Sequence, residues 1–308
     1  MLSFLKITFF VIILFSFLGM INYLYSYFDN NRTDNYVKNL KNVPQHITYL
    51  IVGDSHGYVD IDNKILNKLS YNLSQMSDSL LDIYSKLLFL IDNNVKIDNI
   101  IIQLDPHLYA NYRIFRNNNE VIINYLDYNS YTKICNVNYL EFYLQKIPVF
   151  SQKNRNFVFK SSIKKIINLF SNTQRNPIKE NIIFSINDQS ISERNINSVK
   201  RSNYHFSNGI LDNDNIKDVF IKIVRLAKKN DIELIGIKYP VSKYYYESTS
   251  YKYNHFIESI NYFTEGHIDS VLDYEKLFYN KDEYFHDPDH LNVNGAIEFT
   301  KILNHQLK

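Results

Sequence analysis

The sequence predicts an α/β domain built on a doubly wound parallel sheet and carried behind one amino-terminal apolar helix. Three observations predict it. From His46 to the carboxyl terminus, short apolar runs bounded by polar turns alternate with longer stretches at helical spacing. Strands that alternate with helices make a parallel sheet with right-handed crossovers. The 308 residues are enough for one large domain with a full core, and between Lys6 and Asp29 there is no charged residue.

The amino-terminal element comes first. Ile7 to Tyr25 is almost wholly apolar. At about 1.5 Å per residue, some twenty helical residues cross a hydrocarbon core of roughly 30 Å. Tyr23, Tyr25, Tyr27 and Phe28 fit an interfacial aromatic belt. A signal peptide is the competing reading, but no small-x-small cleavage site follows and the stretch is long for such a segment. Residues 1–28 are therefore read as an uncleaved membrane anchor. Lys6 and the terminal amine favour a cytoplasmic amino terminus, with Arg32, Lys38 and Lys41 pulling the other way. The bulk of the chain is then expected outside the cytoplasm, in a bacterial cell envelope. Residues 29–45, polar and with Pro44 near the end, read as a juxtamembrane linker.

Residues 46–308 form the expected domain. "HITYLIVGD" predicts a buried first strand, "KLSYNLSQ" (68–75) a short second, and "KIDNIIIQLD" (96–105) a third with a continuous apolar centre. Between the last two, Leu80, Leu81, Tyr84, Leu87, Leu88 and Ile91 recur at helical spacing. Residues 110–210, rich in Asn, Ser, Tyr and Lys, read as an elaborated insertion with scattered helices such as "SSIKKIINLF". A helix with Val219, Ile223 and Leu226 on one face then leads into a strand at 232–240. A shorter strand at 267–274 precedes a turn and the final helix, for which Asn294 suits the N-cap.

Composition bounds the function. Lys and Arg together number 34 against 32 Asp and Glu, so nothing points to nucleic acid. Cys135 is the only cysteine; it cannot form an intramolecular disulfide and reads as a small buried apolar residue.

The chemistry is expected at the carboxyl ends of the strands, where open parallel sheets bind ligands. Gly53-Asp54-Ser55-His56-Gly57 ends the first strand and has two readings. As Gly-Asp-x-His-Gly it resembles the first metal turn of calcineurin-like metallophosphoesterases, with Asp54 and His56 as ligands. Two metal ions need ligands from several loops, and that family's second Gly-Asp-x-x-Asp turn and its Gly-Asn-His turn are both missing: after Gly57 the next glycine is Gly209. As Gly-Asp-Ser-x it presents Ser55 as a nucleophile. Asp287-Pro288-Asp289-His290, just before the last helix, supplies the partners. A carboxylate three residues before an imidazole can accept its Nδ1–H and leave Nε2 to take the serine proton.

"GDSH" as a first block and "DPDHLNVNGA" as a last resemble the SGNH (GDSL-type) hydrolase superfamily, in particular an envelope-associated branch akin to proteins of teichoic-acid alanylation and polysaccharide O-acetylation. The resemblance covers both ends of residues 46–308 but not the middle. It implies a flavodoxin-like sheet and a triad of Ser55, His290 and Asp287, with Asp289 the competing carboxylate. It also implies a serine esterase or O-acyltransferase acting on acyl, typically acetyl, esters of envelope glycans, with no metal and no cofactor. The family's oxyanion hole takes a glycine N–H from its second block and an asparagine from its third. Here "NLSQMSDS" (72–79) lacks the glycine and "LDPH" (104–107) lacks the asparagine. The substitutes open to this chain are the N–H groups of Ser55 and of Ser74 or Ser77, with Asn72 or His107. His56 is expected on the rim of the site, and Asp54 is expected to bond backbone around the turn. A metal-dependent phosphoesterase and a non-catalytic glycan-binding relative remain the alternatives.

Overall fold

The computed structural model describes residues 2–147, 185–206 and 214–307; the segment "SSIKKIINLF" lies outside them. Five strands form one wholly parallel sheet in the order β2-β1-β3-β4-β5, which is the doubly wound order of flavodoxin-like sheets. They are β1 (His46–Val52), β2 (Ser70–Asn72), β3 (Lys96–Gln103), β4 (Glu233–Lys238) and β5 (Ser270–Asp273). The apolar centres stack in register: Ile51 pairs Ile101, which pairs Ile235. Ile100, Ile101 and Ile102 are all buried, because both faces of a parallel sheet are covered by its crossovers.

The chain divides into two compact units, residues 1–41 with 120–180 and residues 42–119 with 181–308. The first holds α1 (Leu2–Lys41) and the short helices α4 (Asn119–Ile122), α5 (Tyr128–Thr132) and α6 (Tyr139–Gln145). Helix α1 does not end at the apolar segment. The polar stretch read as a linker continues it to Lys41, leaving only four residues before β1. Its segment Phe4–Tyr23 is long and apolar enough to cross a membrane. Cys135 is only partly buried.

The second unit holds the sheet. Helix α2 (Ser55–Val59) follows β1 directly. Helix α3 (Leu80–Asp92) starts in a capping box, in which the Ser79 hydroxyl and the Asp82 carboxylate satisfy each other's backbone N–H groups. Helix α7 is Ile191–Phe206, α8 is Asp214–Lys229, α9 is Lys243–Glu265 and α10 is Val293–Gln306. On α8 the buried stripe is Phe220, Ile223, Val224 and Ala227, one residue round from the expected face. The N-cap of α10 is Asn292 rather than Asn294: its extended backbone lets Oδ1 accept the Gly295 N–H at 3.0 Å, three residues on.

Candidate active site

The Gly53–Gly57 turn is held by what lies beneath it. Where β1 ends, a Cβ at Gly53 would strike the Gln103 side chain, so the backbone passes close enough for Gln103 Oε1 to accept the Asp54 N–H at 2.7 Å. Asp54 Oδ1 accepts the His56 N–H at 3.0 Å and caps α2, which leaves Ser55 as its first residue. A side chain at Gly57 would collide with Ser74, so this short helix lies directly against the turn that follows β2.

From there the expected triad assembles. His290 Nε2 is 3.0 Å from Ser55 Oγ. His290 Nδ1 is 2.9 Å from Asp287 Oδ2 and 3.0 Å from Oδ1. Asp287 Oδ1 also accepts the backbone N–H groups of Asp289 and His290, at 3.1 and 2.9 Å. The carboxylate is thereby fixed before it meets the ring, and the ring's tautomer follows: Nδ1 carries the proton and Nε2 is the acceptor facing Ser55. A cleft of about 810 Å³ opens beside these residues, lined by Tyr58, Met76, Asp287, His290, Asn292 and Val293 among others.

No family model matches the chain, and no curated protein matches it by sequence. The residues themselves therefore carry the functional argument.

The candidates for the oxyanion hole separate into two groups. Asn72 is spent on bracing, since its Nδ2 donates to the Gly57 carbonyl at 2.8 Å and its Oδ1 accepts the Ser74 N–H at 3.0 Å. His107 lies in the layer behind Ser55, with Nε2 at 2.8 Å from Asp54 Oδ2. Burial, with His56 nearby, holds its pKa well below the ordinary imidazole value. The ring is therefore neutral and donates Nε2–H to Asp54. Ser77 lies in the turn between β2 and α3 with φ at 69°, a left-handed conformation that costs a non-glycine residue about 1–3 kcal/mol. Surrounding bonds impose it. The buried Lys86 ammonium donates to Asp78 Oδ2 and to the Leu73 carbonyl, each at 2.5 Å, and Asn118 Nδ2 donates to Met76 O and Asp78 Oδ1, each at 2.8 Å.

His56 is not on the rim. It is fully buried, with Nδ1 at 2.8 Å from Asp105 Oδ2 and Nε2 at 3.4 Å from Asp289 Oδ2. Burial alone would lower its pKa, but Asp105, and then Asp289, outweigh it and raise it to about 10. Both ring nitrogens therefore donate, one to each carboxylate. Gln103 Nε2 donates to the same Asp105 oxygen at 2.9 Å, and Asp105 Oδ1 accepts the Tyr239 N–H at 2.9 Å, which ties the ends of β3 and β4 together.

Asp289 is fully buried and accepts Arg201 Nε of α7 at 2.8 and 3.0 Å. Its burial would raise its pKa, yet His290, His56 and Arg201 hold it well below the ordinary carboxylate value. Arg113 pairs with Asp54 Oδ2. Burial and Arg201 pull the Arg113 guanidinium down to about 9, still charged at neutral pH.

Gln103, Arg113 and Arg201 carry no motif and escape a reading by blocks. Only Gln103 leaves a trace, as the polar residue that closes the apolar run of β3.

Among the described residues, two groups of donors lie close enough together to hold a metal ion, His56 with Asp105 and His107, and His56 with Asp289 and His290. An ion in the first would have to displace the 2.8 Å bond between His56 and Asp105. One in the second would have to displace His290 from Ser55 or from Asp287.

Proposed function

We propose that this chain is a serine esterase or O-acyltransferase of SGNH type. It acts on acyl esters of envelope glycans, tethered by α1 with residues 46–308 outside the cytoplasm. The observation that carries the reading is the unbroken line Ser55–His290–Asp287, with bonds of 3.0 and 2.9 Å. Ser55 Oγ attacks the ester carbonyl carbon as its proton passes to His290 Nε2. The carbonyl π pair moves onto oxygen. Collapse of that oxyanion breaks the bond to the alkoxy oxygen, which leaves as an alcohol with the proton from Nε2. Water or a sugar hydroxyl then attacks the acyl-serine by the same route, giving an acid or a new ester.

The N–H of Ser55, at the start of α2 where helix amides lack intrahelical partners, is one oxyanion donor. The Ser77 N–H is the candidate for a second, since the Ser74, Gln75 and Asp78 N–H groups donate to Asn72 Oδ1, Gly53 O and Gln75 O. Support for the tether is the uncovered apolar surface of α1, where Phe9, Phe10 and Phe15 are 66, 64 and 65% exposed. The glycan substrate and the envelope location rest on the family resemblance.

The test is a fluorophosphonate probe on the full-length protein in detergent. Ser55 should be labelled covalently, chelation should leave the labelling rate unchanged, and Ser55→Ala should abolish it. Absence of labelling would indicate a non-catalytic relative. Labelling lost on chelation would favour the metal-dependent phosphoesterase.

A further inference from the structure

The triad accounts for Asp287 but leaves a second carboxylate beside the same imidazole. Asp289 Oδ1 lies 3.7 Å from His290 Nδ1, and where Asp287 is 38% exposed Asp289 is wholly buried. Two elements hold it. Arg201 reaches from α7 with Nε against both oxygens, and His56 of α2 reaches Oδ2 with Nε2 at 3.4 Å. Solvent cannot screen a carboxylate so placed, and it cannot turn away.

Resting on the serine-hydrolase reading, we propose that Asp289 is a second counter-charge for the His290 imidazolium, a positioning residue that acts through the field rather than through a hydrogen bond. Asp287 receives Nδ1–H and fixes the tautomer. Asp289 favours the positive charge that appears on the ring when Nε2 takes the Ser55 proton. Among the described residues, Asp60 caps the short helix that carries His56, whose ring stands edge-on to His290 with its centroid 5.1 Å away, and Asp62, Lys64 and His286 line the cleft that His290 faces. His56 and Arg201 are cations that oppose protonation of His290, so the carboxylates must outweigh them. Burial by itself would weaken His290 as a base, but Asp289 first and Asp287 next raise its pKa above the ordinary value.

The experiment compares the pH dependence of Ser55 labelling by a fluorophosphonate in the wild type, Asp289→Asn and Arg201→Gln. A neighbouring opposite charge shifts a pKa by about 1–3 units, and the Arg201 pairing places this case at the low end. The midpoint at which labelling appears should fall by about one pH unit in Asp289→Asn. It should rise in Arg201→Gln, which unmasks Asp289. The imidazole signals of His290, titrated by NMR in a Ser55→Ala background, should move in the same two directions, and this readout does not need a reactive serine. Failure of the wild type to label would refute the hydrolase reading alone, because the titration still reports on Asp289. Unshifted midpoints in both variants, or shifts of the same sign, would overturn the role of Asp289. Should Asp289→Asn not fold, the upward shift in Arg201→Gln decides, since that guanidinium is about one-third exposed.

Discussion

Asp60 offers the most direct test of the electrostatics beneath Ser55. It caps the carboxyl end of α2, is fully buried, and accepts the Leu291 N–H at Oδ1 over 2.8 Å. Its Oδ2 has no hydrogen-bond partner among the described residues. Burial raises its pKa to about 7, although His56 and His290 pull the other way. A carboxyl group raised in the folded state gives stability that is fully present below its unfolded value, here about 3.8, and is lost as the pH rises through about 7. Roughly 3.2 pH units at about 1.36 kcal/mol each make this an effect on the order of 4 kcal/mol.

Asp60→Asn keeps the acceptor for Leu291 and removes the ionisation. Measured by thermal melting in a non-ionic detergent, the variant should gain on the wild type by about 4 kcal/mol between about pH 4 and about pH 8. At about 2–4 °C per kcal/mol for a domain of this size, that is roughly 8–16 °C in relative Tm. Comparing the two proteins at two pH values removes the other buried groups, because His56 and Asp82, the latter raised by burial to about 7, titrate in both. An equal offset between variant and wild type at both pH values would refute the reasoning, and would mean that Asp60 Oδ2 has a partner, such as a trapped water, that keeps it charged.

Three further outcomes follow. Asp287→Asn should lower kcat/KM by about 10³- to 10⁴-fold with an unchanged melting temperature, because the ring tautomer is lost while a partly exposed side chain is exchanged for its isostere. On the proposed serine-hydrolase reading, the wild-type protein should turn over nitrophenyl acetate slowly and an acetylated oligosaccharide much faster, since a missing side-chain donor in an oxyanion hole costs about 2.7–4 kcal/mol that contacts to remote sugar units can offset; nitrophenyl acetate kinetics matching an ordinary lipase would show that the hole is complete. The full-length protein should stay with membranes through alkaline carbonate washing whereas a chain beginning at Asp34 should not, and an amino terminus mapped after Gly19 in the mature protein would instead show a cleaved signal.

The sheet was legible because its signal is local. A continuous apolar run such as Ile100-Ile101-Ile102, bounded by polar turns, reads as a buried strand without knowledge of its neighbours. That Asp287 and His290 meet was legible for a related reason: an Asp three residues before a His carries its geometry within one turn. The layer behind them was not. His56 and Asp289 stand 233 residues apart and Arg201 and Asp289 88 apart, and polar residues whose burial depends on such distant partners look like surface residues in a one-dimensional pattern. That is why His56 was expected on the rim and lies buried instead. Asn292 has a local reason instead: the backbone takes the extended cap conformation two residues before Asn294, so that Asn292 Oδ1 meets the Gly295 N–H.

What the hidden layer does follows from its charge balance. Asp54, Asp105 and Asp289 stand against three cations, Arg113, His56 and Arg201, while His107 is held neutral by burial. His205, stacked on His107, is likewise held below its ordinary pKa by burial. A buried ion pair adds little net stability against apolar residues of the same volume, but breaking one leaves an uncompensated charge that costs about 3–5 kcal/mol. Such a cluster is therefore a poor source of stability and an effective fixative, since no member can move without exposing its partner. Its members come from α2 and the end of β1, from the end of β3 and the 3-10 turn at 111–114, from α7, and from the turn before α10. The elements that carry Ser55 and His290 are thus tied to one another by buried groups set behind them. The 3.0 Å approach of His290 to Ser55 is braced from behind, which is how two sequence-distant turns are held in register with one another.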